Sequence, residues 1–308
     1  MKQVSHRFSL SNPRLNYVLM SSAVFVSALE FIFAKSVLAV IPPLTLILFK
    51  YLTALIVLFC IKMARSRRWP FRVRDIPVFI LLAILGEVVY FAASYSALSY
   101  IPVALVTVIM ALAPVLSIVF DKHVYRRKVR APTILGICVS MVGVGMVAGV
   151  DPGMFANNRI IGYLLAFIPA ICANIYNVFA IRLSARYSTF DMSFYIIAAT
   201  VAITLPYGLG HLPPASAVNA SLIIPILFIG IGVGAFGLFT YVNSLSVLGS
   251  TTTLLFLNFI PVISCVFGWL CLGETILPLQ IIGGAILLTG CAAVIWFKDR
   301  TELYGKPL

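Results

Sequence analysis

Charge is what this chain has least of. Asp and Glu together number nine in 308 residues, and all charged residues make up only 10%. A soluble domain carries roughly 25% charged residues, so no soluble surface could be built from this supply. Histidine is scarce too. His6, His123 and His211 lie far apart and outside the apolar runs. No HExxH, GxSxG, paired-aspartate or phosphate-loop motif occurs, so the sequence points to no enzyme and no cofactor. The six cysteines (Cys60, Cys138, Cys172, Cys265, Cys271 and Cys291) sit in or at the ends of apolar runs, with no CxxC pair. They read as small packing residues, not as disulfides or metal ligands.

What abounds is apolar, at 62% hydrophobic residues. These fall in ten runs, approximately 15–38, 43–63, 77–99, 102–121, 131–150, 160–182, 190–209, 219–247, 250–271 and 276–297. About 20 residues cross a bilayer core of about 30 Å as a helix. Barrel strands would be about ten residues long and would alternate in polarity. Helices satisfy their own backbone groups in lipid. The expected fold class is an all-α polytopic membrane protein with ten transmembrane helices. The run at 219–247 is long enough to begin with an interfacial piece before Pro225. The first 14 residues are polar and the first run holds Glu30 and Lys35, so no cleaved signal peptide is expected.

The net charge is +13. The basic residues cluster after helix 2 (Arg65, Arg67, Arg68, Arg72, Arg74), after helix 4 (Lys122, Arg126, Arg127, Lys128, Arg130) and after helix 6 (Arg182, Arg186). Others stand at the termini (Lys2, Arg7, Arg14; Lys298, Arg300, Lys306). If ten helices alternate, all of these share one side, and only Arg159 lies in connections on the other. Such a bias is a topology signal, with a lipid bilayer and not nucleic acid as partner. It puts both termini in the cytoplasm.

A repeat underlies the chain. Pro114-Val-Leu-Ser-Ile-Val-Phe120 returns 147 residues later as Pro261-Val-Ile-Ser-Cys-Val-Phe267. Gly136 and Gly143 return as Gly283 and Gly290, and Leu98-Ser99 as Leu245-Ser246, at the same offset. The chain therefore divides into two halves, 1–152 and 153–308. Five helices is an odd number, so the second half must be inverted. The connections after helices 7 and 9, which match the two most basic ones, contain no Lys or Arg. Inverted repeats are a transporter architecture.

Several stretches carry a family likeness: Tyr95-Ser96-Ala97-Leu98-Ser99-Tyr100, the prolines Pro114 and Pro261, Leu272-Gly273-Glu274, and the pair Gly283/Gly290. Set in two five-helix halves, they resemble the EamA-type branch of the drug/metabolite transporter superfamily over essentially all ten helices. Two positions depart from the pattern. Arg127 stands where the second half has Glu274, and Lys50 of Phe49-Lys50-Tyr51 stands where this family often carries arginine. The resemblance implies a secondary transporter with a central cavity lined mainly by helices 1, 3, 4, 6, 8 and 9.

Ionisable residues inside membrane spans are costly and mark pathways. Three lie near mid-run: Glu30, Lys50 and Glu87. Lys35 is close enough to a helix end to snorkel. Glu87, Tyr90 and Ser94 fall on one helical face, and the matching face of helix 8 is Gly234, Gly237 and Tyr241. That pattern fits a cavity wall, although Gly230 and Gly234 also form a GxxxG suited to close helix packing. Ser27 and Glu30 match Asn174 and Asn177 at the repeat offset, which suits either a cavity or interhelical hydrogen bonds. Lys50 is a candidate counter-ion for either glutamate. Pro114 and Pro261 release the carbonyls of Met110 and Leu257, predicting kinks that act as hinges or stay static. Asn258 shares a turn with Pro261. Ser250, Thr251, Thr252 and Thr253 follow Gly249 and read as caps of helix 9, with an anion site as the alternative.

Glu30 matches Asn177, which cannot titrate, so that position requires only polarity. Glu87 matches Gly234, so its carboxyl is an addition to the repeat. Desolvation favours its neutral form and a nearby cation favours its carboxylate, a balance suited to proton exchange. Glu87 is therefore preferred to Glu30 as the coupling residue. The expected function is a secondary transporter of a small molecule in the cytoplasmic (inner) membrane, working by alternating access, with protons as candidate coupling ions. Export of an amino acid or related metabolite rests on the resemblance alone. A cationic drug exporter is the alternative in substrate. The alternatives in class are a non-transporting membrane subunit and a membrane-embedded enzyme acting on lipid-like substrates. Nothing in the sequence specifies an oligomer.

Overall fold

A computed structural model describes residues 12–65, 69–113, 116, 131–148, 159–248, 253, 256–257, 259–273 and 275–304. The described residues are helical, with no strand among them. In chain order the helices are α1 (Pro13–Val37), α2 (Pro43–Arg65), α3 (Val73–Ala97), α4 (Val103–Met110) and α5 (Ala131–Ala148). They continue as α6 (Arg159–Ser184), α7 (Thr189–Gly210), α8 (Ala220–Val247), α9 (Ile260–Leu272) and α10 (Pro278–Tyr304). Six of them, α1, α2, α3, α6, α7 and α8, are long and apolar enough to cross a bilayer. The protein is an integral membrane protein.

Local chemistry sets the helix ends. The Asn12 side chain accepts from Arg14 N at 3.0 Å, with Pro13 in the first turn. The Asn219 side chain accepts from Leu222 N at 3.2 Å and starts α8 at Ala220. That helix runs straight through Pro225, so no separate interfacial piece precedes the proline as the sequence suggested. α9 ends on Gly273, whose φ of 63° favours a residue without Cβ.

The prolines need a correction. Pro261 was expected within a helix as a kink. It sits instead in the first turn of α9, after a turn at Phe259. A missing N–H and a fixed φ suit that place, because first-turn amides have no helical partner anyway. Phe259 before it keeps right-handed helical dihedrals, and Asn258 lies outside the described residues. α4 stops at Met110, with a turn at Ala111–Leu112. Pro114, Asn258, Glu274, Gly249 and Ser250–Thr252 lie outside the described residues. Two backbone irregularities were not foreseen. Hydrogen bonding widens to π-helical over Ala83–Val89 in α3 and over Ile229–Gly237 in α8. These stretches overlap at the repeat offset of 147, and such widenings are frequent at functional sites.

The helix contacts keep their pattern when the halves are exchanged. α2 packs on α7, α5 on α10 and α4 on α9. α1 meets α8 and α9 as α6 meets α3 and α4, and α2 meets α8 as α7 meets α3. α2 and α7 run antiparallel. Lys62 near the end of α2 pairs with Asp191 near the start of α7, while Thr45 Oγ1 donates to His211 O at 3.3 Å at the opposite ends. Close by the first pair, Arg186 meets Asp75 at 3.1 Å, and Tyr187 donates to the same carboxylate at 2.9 Å.

The α5–α10 contact shows why the repeated glycines are there. A Cβ on Gly143 would fall 2.7 Å from Gly283 O, and one on Gly290 would fall 2.8 Å from Gly136 O. Each half lends a glycine to admit the other half's backbone. Gly143→Leu and Gly290→Leu should each cost about 1–3 kcal/mol through overpacking and lower the melting temperature in detergent. Gly145→Leu should not, since nothing lies within 4 Å of that position. Equal melting temperatures in all three variants would refute the close packing.

Candidate functional site

A cavity lies between α1, α3, α6, α8 and the start of α9. Ser27, Glu30, Glu87, Tyr90 and Tyr241 line it, and Tyr51 reaches it from α2. A second, smaller chamber shares Phe31, Tyr90, Ala173, Leu257 and Ile260 with the first. The end of α4 walls this second chamber through Thr107 and Met110. Helices 1, 3, 4, 6, 8 and 9 thus all contribute, and α2 joins them.

The ionisable residues meet beside the cavity. Lys50 is 0% exposed, and its Nζ lies 2.7 Å from Glu30 Oε1. Tyr95 donates its hydroxyl to the same oxygen at 2.6 Å. The ammonium also sits 3.2 Å from the centre of the Phe91 ring, within cation–π range. Tyr51, the next residue on α2, donates to Glu87 Oε2. Lys50 therefore serves Glu30, and among the described residues no salt bridge reaches Glu87. An ion taken out of water costs several kcal/mol unless it is paired and hydrogen-bonded. Glu30 has both forms of support, whereas Glu87 has a hydroxyl donor only.

The other candidates divide. Asn174 is turned away from the cavity, and its Nδ2 donates to Ala113 O at 2.9 Å and Ala170 O at 2.8 Å. It provides interhelical bonding to the interrupted end of helix 4. Asn177 accepts from Tyr241 OH at 2.6 Å. Ser94 is fully buried and bonds back to Tyr90 O at 2.6 Å, so it leaves the cavity face that its spacing predicted. A short hydroxyl this close to the preceding turn satisfies itself on the backbone. Gly230 and Gly234 pack against α2 at Thr53, Lys50 and Ala54, while Gly237 lines the cavity. Tyr51, Tyr95, Phe91 and Tyr176 were not singled out from the sequence. Only the adjacency of Tyr51 to Lys50, and the place of Tyr95 in the family-like stretch, could have drawn notice.

Lys50→Met should strand the Glu30 carboxylate and cost about 3–5 kcal/mol. Adding Glu30→Gln should recover most of that loss. Thermal melts of the single and double variants in detergent test this, and equal melts would show that the two residues are not coupled.

The repeat frame has counterparts in known proteins. Residues 14–149 and 160–296 each match the EamA-like transporter family. An uncharacterized transporter of Bacillus subtilis (strain 168), YdfC, is 25% identical over 252 residues, covering 80% of either chain. A probable terminal-alkyne amino-acid exporter of Streptantibioticus cattleyicolor is 25% identical over 239 residues, covering 75% of either chain. One crystal structure superposes with a TM-score of 0.68 at 21% identity, over 94% of this chain and 100% of that one, a likeness of fold alone. Two family matches, parted where the internal repeat divides and together spanning nearly the whole sequence, mean that this chain belongs to the EamA-like transporter family.

Proposed function

We propose that this protein is a proton-coupled secondary transporter that exports an amino acid or a related amine-bearing metabolite by alternating access. The charge count beside the cavity carries the reading. Two carboxylates share one ammonium, and Lys50 is held by Glu30. A desolvated carboxylate without a counter-ion either takes a proton or binds a cation. At Glu87 a proton and the ammonium of a substrate compete for one group. Each displaces the other, so inward movement of protons drives outward movement of substrate. The name of the Streptantibioticus relative supports the amino-acid assignment. A cationic drug is the second reading, favoured by the aromatic faces of Phe31, Tyr90 and Tyr241 in the lining. Family membership points away from an enzyme.

The cycle we propose uses ten transmembrane helices in two five-helix halves, 1–152 and 153–308, of opposite orientation. The protein sits in the cytoplasmic membrane with both termini inside. The antiparallel runs of α2 with α7 and of α5 with α10 support the inversion, and the basic connections support the orientation. Single cysteines at Arg67 and Arg127 should label from the cytoplasm, and one at His211 from outside. Cytoplasmic labelling at His211 would sink the inverted arrangement.

In proteoliposomes a pH gradient should accelerate transport by the wild type. Glu87→Gln should transport at the same reduced rate with and without the gradient, whereas Glu30→Gln should keep its response. If the two variants behave the other way round, Glu30 is the coupling residue. If both respond, neither is.

A further inference from the structure

A buried O–H or N–H without an acceptor is destabilising, so native structures rarely keep one unless it serves a purpose. α6 presents two in succession. Tyr176 is 3% exposed and lines the cavity, yet its hydroxyl has no hydrogen-bond partner. Asn177 is 5% exposed and gives its Oδ1 to Tyr241, leaving Nδ2 without an acceptor. Consecutive helical residues point about 100° apart, but Tyr241 gathers this pair into one corner. Its ring stands 6.2 Å from the Tyr176 ring, and its hydroxyl holds Asn177 at 2.6 Å. Thr240 and Ser244 on α8 also have unpartnered hydroxyls but do not line the cavity; Asn177 is not a lining residue either, and it is tied to the site through its hydrogen bond with Tyr241, which is one.

The corner adjoins Glu87. The Tyr176 ring lies against Gly86, where a Cβ would fall 2.6 Å from Tyr176 Cε2. Glycine at that position therefore admits the ring beside the carboxylate. No Lys, Arg or His is among the described residues that line the cavity. A negatively charged or carbonyl oxygen entering it has neutral donors to meet and no cation.

We infer that Tyr176 in the cavity wall, backed by Asn177 on the lining Tyr241, forms a neutral hydrogen-bond-donating subsite for a carboxylate or carbonyl oxygen of the substrate, selecting amino acids over the corresponding amines. The inference rests on the transporter reading of this cavity, with the substrate ammonium at Glu87. An α-amino acid carries both ends within a few bonds, and its decarboxylated amine carries one. Such a subsite discriminates strongly, because the analogue lacking the oxygen leaves the donors buried and unpaired. The repeat places Asn177 where the other half has Glu30. The two equivalent positions thus do opposite work: Glu30 is closed off by Lys50 and Tyr95, and Asn177 keeps its amide for a ligand.

The test measures binding to the purified full-length protein in detergent by titration calorimetry, and flux in proteoliposomes. The probes are apolar and aromatic L-amino acids, each paired with its decarboxylated amine, such as phenylalanine with 2-phenylethylamine. The wild type should prefer the amino acid by roughly ten- to a hundredfold, the range of a charge-assisted hydrogen bond. Tyr176→Phe should reduce that preference about tenfold without weakening the amine. It should melt like the wild type, since its hydroxyl holds nothing within the protein. Asn177→Asp keeps an acceptor for Tyr241 but removes the donor, and should reverse the preference towards the amine. Equal wild-type binding of both classes, or an unchanged ratio in both variants, overturns the subsite and leaves the transporter reading intact. Binding of neither class overturns the amine-metabolite reading and the subsite together. A shifted ratio without pH-driven flux overturns the coupling scheme alone.

Discussion

Two carboxylates and one ammonium share a volume that apolar helices close to water, and the placing of α1, α2 and α3 follows from keeping them satisfied. Lys50 and Tyr51 are neighbours on α2, and their side chains leave it in different directions. One holds Glu30 on α1 and the other holds Glu87 on α3. α2 is therefore the arm that joins the two acidic helices. Its outer side bears the second half. Gly230 and Gly234 of α8 lie on its backbone near Lys50 O, at distances where a larger residue would force the helices apart. The charge cluster of one half and the packing surface of the other thus meet at a single stretch of α2.

The repeat supplies the frame twice and the charges once. Glu30 matches Asn177, Lys50 matches Ile197, Tyr95 matches Val242 and Glu87 matches Gly234. A duplicated cluster would double the desolvation cost, whereas a single one needs only one supporting shell. The second half contributes neutral groups to the shared cavity instead, chiefly Tyr176 and Tyr241. The same asymmetry recurs between α2 and α7. Lys62 pairs with Asp191 at one end, while the matching positions at the other end are Leu209 and Leu44. The two ends of that interface are therefore held by unequal forces.

Much of this was legible in the residue order. Charge scarcity and apolar run length led to a helical membrane protein, and the recurring glycines led to the repeat; the α5–α10 contact that explains them comes from the structure. Glu30, Glu87 and Lys50 stood out because an ionisable side chain in an apolar run needs a reason. That Lys50 pairs with one of them was legible, but not which one, because that depends on how far each helix is rotated about its axis. Tyr51 and Tyr95 were passed over on the same ground. A tyrosine in an apolar helix is unremarked until its hydroxyl finds a carboxylate. Asn174 shows the limit of face arguments: its spacing placed it beside Asn177, but the Ala113 carbonyl at the end of α4 drew its amide away. Tyr176 escaped because repeat matching directs attention to positions 174 and 177, and nothing in the sequence tells which hydroxyls will lack a partner.

The backbone irregularities complete the argument. In a bilayer, non-α backbone is tolerated only where it is buried in protein or borders a cavity. Both widened stretches meet that condition, with Gly86 and Glu87 lining the cavity from α3, and Val233 and Gly237 from α8. The turn at Phe259 precedes Ile260, which lines the same space, and the turn after α4 begins beside Met110 in the second chamber. Regular α-helical bonding is interrupted at these four places, where a helix bends more easily. They occupy equivalent positions in the two halves. Glu87 lies within the widened stretch of α3 and is bonded through Tyr51 to α2, whose backbone packs on the glycines of α8, so in the proposed cycle a change of its charge would bear on both halves.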